Sequence, residues 1–407
     1  MSSDDLFLAT AASVGARIMD DAVWHGGRCS WMGAAADTKE PWRVEYRALG
    51  PSVHGGTAGV GLFLAQLAAV TGEPRARRTA VGALRHAVER APNLPPADRD
   101  GLHAGAVGVA LAAARAAALL DESELHARAR SLLDEVRLPS GPERCPDVVM
   151  GSAGAIIGLL ALADAHDDPR LMMRAAETGE ELLGRATVTR HGWSWATPGR
   201  RHPHHLCGLS HGAGGIGWAL SELFAATGDA RFAEAARGAF AYERSWLDAG
   251  SGTWPDLRVS GQRRGRPRPP GAAATGTWCH GEAGIALTRL RTFPLLRSGA
   301  VRDDAEIALE TTRRHVAGLL PYEIEDLSLC HGAAGSADVL VSSGARWDEA
   351  AELGHAVLER HGADGDRWPC GTPHATTPGL FLGLSGIAWW FLRLYDRRVP
   401  SPLGTWG

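Results

Sequence analysis

The chain alternates between two kinds of segment. One kind opens on G-x-x-G and continues almost wholly apolar: HGGTAGVGLFLAQLA, HAGAVGVALAAARAA, MGSAGAIIGLLALAD, HGAGGIGWALSELFA, HGEAGIALTRL, HGAAGSADVLV and LGLSGIAWWFLRLYD. The other is amphipathic, as in EPRARRTAVGALRHAVERA, DESELHARARSLLDEV, DPRLMMRAAETGEELLG, ARFAEAARGAFAYERSWL and RWDEAAELGHAVLERHG, with charges on one helical face. The leading glycines Gly56, Gly105, Gly151, Gly212, Gly281, Gly332 and Gly383 are separated by 49, 46, 61, 69, 51 and 51 residues. A two-helix unit is therefore repeated seven times.

Helices that are apolar all round must be buried on several sides, and the amphipathic ones shield them from water. With an opening helix from about Asp4 to Asp21 and a last inner helix ending near Tyr395, the pattern predicts an all-α fold. We expect a closed α/α toroid of seven inner and seven outer helices, with residues 1–407 as a single domain. The leading glycines are expected to permit left-handed or tight backbone and to let helix starts crowd around the ring centre. Three connections stand out by length, Trp24 to Val53, Ala186 to Ser210 and Ala249 to Trp278, and long insertions often carry function. HGWSWATP and GTWPDLRV alternate in the manner of short hairpins within two of them.

Composition narrows the class. Apolar residues make up 45% and charged residues 22%, which describes a folded globular chain. Lys plus Arg (42) against Asp plus Glu (46) gives a net charge of −4, so there is no general attraction to nucleic acid or to an anionic membrane. Lys39 is the only lysine, and the Arg-, Ala- and Gly-rich background is expected of a high-GC bacterial genome. The start, MSSDDLFLATAASVGARIMDD, lacks a basic n-region and a long apolar h-region, and no apolar run approaches the length of a membrane span. A cytoplasmic location is expected, where Cys29, Cys145, Cys207, Cys279, Cys330 and Cys370 would mostly stay reduced. Metal or catalytic roles for cysteine then become the readings to test.

Reactive side chains stand at three helix starts: Trp278-Cys279-His280-Gly281, Leu329-Cys330-His331-Gly332 and Ser210-His211-Gly212. In a toroid these ends converge on an axial cavity, and Cys279 and Cys330 hold equivalent positions in successive repeats. Two thiols and an imidazole form a soft donor set suited to Zn2+, with the fourth tetrahedral position open. A helix N-terminus also favours thiolate. On spacing alone, His280 competes with His331 as the third ligand. The run Arg201, His202, Pro203, His204 and His205 reads as a solvated loop or the lining of a cavity mouth, and RRGRPRPP at 263–270 as a mobile basic loop. The remaining four cysteines read as structural, with Cys207 set apart by lying four residues before His211.

These motifs resemble the lanthionine synthetase C-like family, the cyclases of lanthipeptide biosynthesis and their relatives, over nearly the whole chain. The W-C-H-G and L-C-H-G-A-A-G segments are specific to it, and the family fold is a double ring of seven plus seven helices. The resemblance implies that Cys279, Cys330 and His331 are zinc ligands, that His211 in GLSHGAGGIG is the catalytic histidine and that Asp147 in PDVVMGSAG is the catalytic aspartate. The stretch Cys29 to Ala68 is similar to the start of the cyclase region of two-function synthetases. There are departures: His54-Gly55-Gly56 lacks an acidic residue before the glycine, and His280 takes a variable position.

The implied activity is zinc-dependent addition of peptide cysteine thiols to dehydroalanine or dehydrobutyrine, giving thioether rings. The implied partners are a dehydrated ribosomal precursor peptide and a separate dehydratase or kinase/lyase enzyme, because no such region is evident here. Two other readings remain at this stage: addition of glutathione to dehydroamino acids, and a non-catalytic peptide-binding partner of a dehydratase. Toroids also serve glycosidases and prenyltransferases, so fold alone does not decide.

Overall fold

The computed structural model describes residues 3–36, 44–135, 141, 143–199, 202–258, 276–363, 365–366, 368–372 and 375–405. The basic run at 263–270 and Arg201 lie outside the described residues. Fourteen α-helices occur among those described. The seven glycine-led ones are α2 (Thr57–Thr71), α4 (Ala106–Leu120), α6 (Ser152–His166), α8 (Ala213–Thr227), α10 (Glu282–Leu296), α12 (Ala333–Ser342) and α14 (Leu384–Tyr395). The other seven are α1 (Ser3–Asp20), α3 (Pro74–Arg90), α5 (Ser123–Glu135), α7 (Pro169–Gly184), α9 (Ala230–Arg244), α11 (Gly299–Leu319) and α13 (Trp347–His361).

The two classes bury differently, as their sequences require. From Thr57 to Ala68 every residue of α2 is buried, whereas α7 buries only Leu171, Ala175, Thr178, Gly179 and Leu182, one helical stripe. They also start differently. Three of the amphipathic helices, α3, α7 and α9, use side-chain caps, with Glu73, Asp168 and Asp229 accepting from the amides of Arg75, Arg170 and Arg231. Glycine-led helices have no side-chain cap at Gly56, Gly151, Gly212, Gly281, Gly332 or Gly383. Instead the first helical amide reaches back seven residues to a turn carbonyl: Thr57 to Gly50, Ala106 to Arg99, Ser152 to Cys145, Ala213 to Leu206, Ala333 to Asp326 and Leu384 to Thr377, all at 2.8–3.0 Å.

That closed turn explains the glycines and corrects part of the expectation. Gly151 and Gly212 have φ of −140° and −108°, which is not the left-handed region. A Cβ would stand 1.8 Å from the Cys145 carbonyl oxygen at the first and 2.2 Å from the Cys207 carbonyl carbon at the second. Crowding against the turn, not handedness, excludes a side chain.

Two compact units divide the chain. The first comprises Met1–Leu94, Gly108–Val136 and Val316–Gly407. Within it, α1 packs on α14 through Phe7 against Phe391, with ring centroids 5.8 Å apart. Two hairpins fill its first long connection: β1 (Val23–His25) with β2 (Arg28–Ser30), and β3 (Met32–Ala36) with β4 (Val44–Ala48). The second unit comprises Pro95–Val107 and Arg137–His315, and holds the hairpin of β5 (Thr187–Thr189) and β6 (Gly192–Ser194). This last hairpin includes the predicted HGWS. The described part of GTWPDLRV, 252–258, forms no strand, only an isolated bridge between Asp248 and Thr253, and Pro255 has no amide to extend a ladder. In each unit a hairpin tryptophan covers a glycine of an amphipathic helix: Trp24 over Gly82 of α3, and Trp193 over Gly238 of α9.

Candidate active site and metal centre

Every predicted site residue stands in a turn before a glycine-led helix, and neighbouring turns are joined by backbone hydrogen bonds. In the second unit Leu102 donates to Val148, Val148 to Ser210 and Ser210 to Cys279, at 3.0–3.2 Å. In the first, Cys330 donates to Phe381 and Phe381 to His54, at 3.0 and 2.9 Å. The reactive side chains are thus mounted on ladders of main-chain contacts, so their spacing is set by backbone geometry.

The second unit brings His211 and Asp147 together. His211 Nδ1 lies 2.6 Å from Asp147 Oδ2, so Nδ1–H donates to the carboxylate and Nε2 is the nitrogen left for chemistry. The His211 side chain is 32% exposed and Asp147 only 2%, a reachable imidazole on a buried anion. Asp147 Oδ1 accepts from the Met150 amide at 2.7 Å, and Oδ2 also accepts from the Cys145 thiol at 3.0 Å. Burial would raise the Asp147 pKa, but the His211 hydrogen bond and charge, the Met150 amide and the Cys145 thiol outweigh it and hold it below the ordinary carboxylate value. Burial together with the Asp147 charge pushes the Cys145 thiol up, so it stays a protonated donor.

Cys279 is buried, with its Sγ 3.7 Å from Thr277 Oγ1. Its neighbour His280 does not join the metal-ligand group; its ring faces His211 with centroids 5.5 Å apart. Burial lowers the His280 pKa to about 4, with the Cys279 charge opposing and the Arg258 and His211 charges adding to the shift. Trp278 is buried edge-on against His103 at 5.3 Å.

In the first unit, Cys330 is buried, and His331 Nε2 lies 3.3 Å from both Asp326 Oδ2 and the Gly371 carbonyl oxygen. Two acceptors at Nε2 place the proton there and the lone pair on Nδ1, the arrangement by which a second partner orients a metal-binding histidine. Asp326 also accepts from the Ser328 amide at 2.7 Å.

One ligand atom from each of Cys279, Cys330 and His331 lies within 4.8 Å of the other two, the one such group among the described residues. A tetrahedral zinc with bonds of about 2.3 Å to sulfur and about 2.0 Å to nitrogen needs ligand atoms about 3.5–3.8 Å apart, which lies inside that limit. The donor chemistry fits, with two soft sulfurs and an oriented imidazole. Of the histidines at 202–205, His204 packs on Trp246 at 4.8 Å and His205 Nδ1 meets Ser194 Oγ at 2.9 Å. His54, the departure noted in the first repeat, stacks on Phe381 at 5.1 Å.

Sequence reasoning missed Cys145, Asp326 and Glu243. Cys145 and Asp326 stand within the same seven-residue turns, close enough to the reactive residues to have been suspected. Glu243 reads as one surface charge of α9, yet it is fully buried. It follows Phe232, Ala236 and Ala239 on the buried stripe, and that 3–4 spacing could have revealed it.

Residues 47–403 match the family described as lanthionine synthetase C-like protein. The chain belongs to that family. Among solved structures it is similar to nisin cyclase, with a TM-score of 0.65 at 18% identity over 87% of this chain and 90% of that one. A sugar epimerase from a ruminal bacterium aligns with a TM-score of 0.51 at 11% identity, over 98% of this chain and 100% of that one. At such identities the likeness concerns fold alone, and the fold is the helical toroid expected from seven repeats. No curated protein matches the chain in sequence. No helix among the described residues is long and apolar enough to cross a membrane.

Proposed function

We propose that this lanthionine synthetase C-like chain is a zinc-dependent lanthipeptide cyclase, acting as one domain over 1–407 in the cytoplasm on a ribosomal peptide dehydrated by a separate enzyme. The observation that carries the reading is the Cys279, Cys330 and His331 group, with ligand atoms within 4.8 Å, in a family member that also presents an oriented His211–Asp147 pair. Cys279, Cys330 and His331 would hold the metal. Bound there, zinc supplies a Lewis acid that keeps a substrate cysteine as thiolate near neutral pH, where a free thiol with a pKa of about 8.5 is mostly protonated.

The residues of the chain divide the remaining work. Addition forms a sulfur–carbon bond at the β-carbon of the dehydroamino acid and leaves an enolate, which takes a proton at the α-carbon. His211 Nε2 delivers that proton as general acid. Asp147 holds the ring in the required tautomer and supplies the counter-charge when it is protonated. Loss of the thiol proton and gain of the α-proton cancel, so cyclisation leaves peptide mass unchanged.

Two measurements test the reading. Protein purified without chelator is expected to carry close to one zinc per chain, and Cys279→Ala to lose it; metal-free wild type overturns the mechanism. A dehydrated peptide with free cysteines should lose thiol reactivity at constant mass, and an unmodified precursor with ATP should show no loss of water. A glutathione-sized mass increase would favour external addition, and water loss would reveal a dehydration site in this chain.

A further inference from the structure

The turn that carries His211 is held by a residue from a different helix. Glu243, at the end of α9, is fully buried. Its Oε1 accepts from the Gly208 amide at 2.6 Å and from the Gly214 amide at 2.8 Å. These amides lie three residues to either side of His211, so one oxygen ties both ends of the segment. Gly208 has φ of +101°, and a Cβ there would stand 2.9 Å from the Cys279 carbonyl oxygen and the His280 Cα. The turn therefore lies directly on the Cys279 turn, to which Ser210 adds hydrogen bonds from both its amide and its hydroxyl, each 3.0 Å from the Cys279 carbonyl.

The carboxylate is itself fixed. Arg289 of α10, also fully buried, donates from Nη1 to Glu243 Oε2 at 2.6 Å and lies 4.3 Å over the Phe240 ring. Arg289 meets Asp304 at 3.7 Å, and Asp304 is bound by Arg244 at 2.7 Å. A buried ion pair is a poor source of stability compared with apolar packing, which makes its placement against the His211 turn informative.

We propose that Glu243 is a positioning residue for the reaction, setting His211 by tying both ends of the turn that carries it. The proposal rests on the reading of His211 as the proton-transfer group. It is tested with two double variants that leave no unpaired Glu243 or Arg289 charge. Glu243→Gln/Arg289→Met keeps a carbonyl acceptor for the Gly208 and Gly214 amides, and Glu243→Met/Arg289→Met does not. The probe is a peptide with one cysteine and one dehydroalanine.

The Gln/Met protein should keep kcat within about threefold of wild type, and the Met/Met protein should lose about 10- to 100-fold in kcat with zinc content and KM unchanged. In a His211→Ala background the Met/Met change should have no further effect, because a residue acting through His211 is not additive with it. If Met/Met fails to fold, Glu243→Asp, which retracts the carboxylate by one methylene, should lower kcat without loss of zinc. Unchanged kcat in Met/Met or Glu243→Asp, or the same fold-loss with and without His211, assigns Glu243 to stability and overturns the proposal alone. A wild-type rate for His211→Ala overturns the reading of His211 and the positioning role with it.

Discussion

Asp147 and Asp100 are buried carboxylates in the turns before α6 and α4, and their environments drive them in opposite directions. Three hydrogen bonds hold Asp147 ionised, so it contributes stability above the ordinary carboxylate pKa of about 3.9, lost as pH falls through its lowered folded value. Asp147→Asn should accordingly be less stable than wild type at pH 7, with the gap closing in acid; a gap independent of pH would contradict its ionised state. Its cyclisation rate should fall by about 10²- to 10⁴-fold with zinc retained, because the amide no longer fixes the proton on His211 Nδ1. For Asp100, burial outweighs the Arg144 charge and raises the pKa to about 6. The folded state then binds more protons than the unfolded between about pH 4 and 6, and stability falls across that window. Denaturant midpoints for Asp100→Asn should improve relative to wild type as pH rises from 4.5 to 7; a constant difference would contradict the raised value.

At the level of helices and turns, the glycine-led starts make a steric prediction. Gly212→Ala places a methyl 2.2 Å from the Cys207 carbonyl carbon, and backbone cannot yield as a side-chain tip does. A loss of about 1–3 kcal/mol is expected by urea unfolding, together with reduced activity, since His211 is the adjacent residue. Gly318→Ala, at an exposed position of α11 with nothing within 4 Å of the added carbon, should be neutral or stabilising by up to about 1 kcal/mol. Equal effects at the two positions would refute crowding as the reason for the repeat glycines. The repeats were legible in the sequence because burial on all sides writes itself as apolar runs, and repetition marked Cys279 and Cys330 as equivalent. His331 and His280 were not separable that way, since adjacent residues share a spacing and only the Asp326 and Gly371 acceptors distinguish them. Nor did the sequence show that the turn carbonyl seven residues back replaces the side-chain cap, because a backbone acceptor has no residue type. Glu243 escaped notice because a charge at the end of an amphipathic helix is ordinarily solvated.

At the scale of the whole chain, the repeat count and the placement of the predicted residues at helix starts follow from pattern, while the division into two compact units does not. Contacts that close the first unit run between sequence extremes. Phe7 of α1 lies against Phe391 of α14, and the Phe381 amide, just ahead of α14, donates to the His54 carbonyl. For a ribosome this is a matter of timing. α14 is made long after α1 and covers part of its buried face, at Phe7, so that part waits while the intervening helices are made. Such long-range closure is slow and leaves the waiting surface open to aggregation. Nascent chains stalled after α13 should therefore leave α1 sensitive to protease, and those extended past α14 should protect it. Early protection would mean that α1 finds another shelter while it waits. The expected bottleneck in making this protein is thus the arrival of α14.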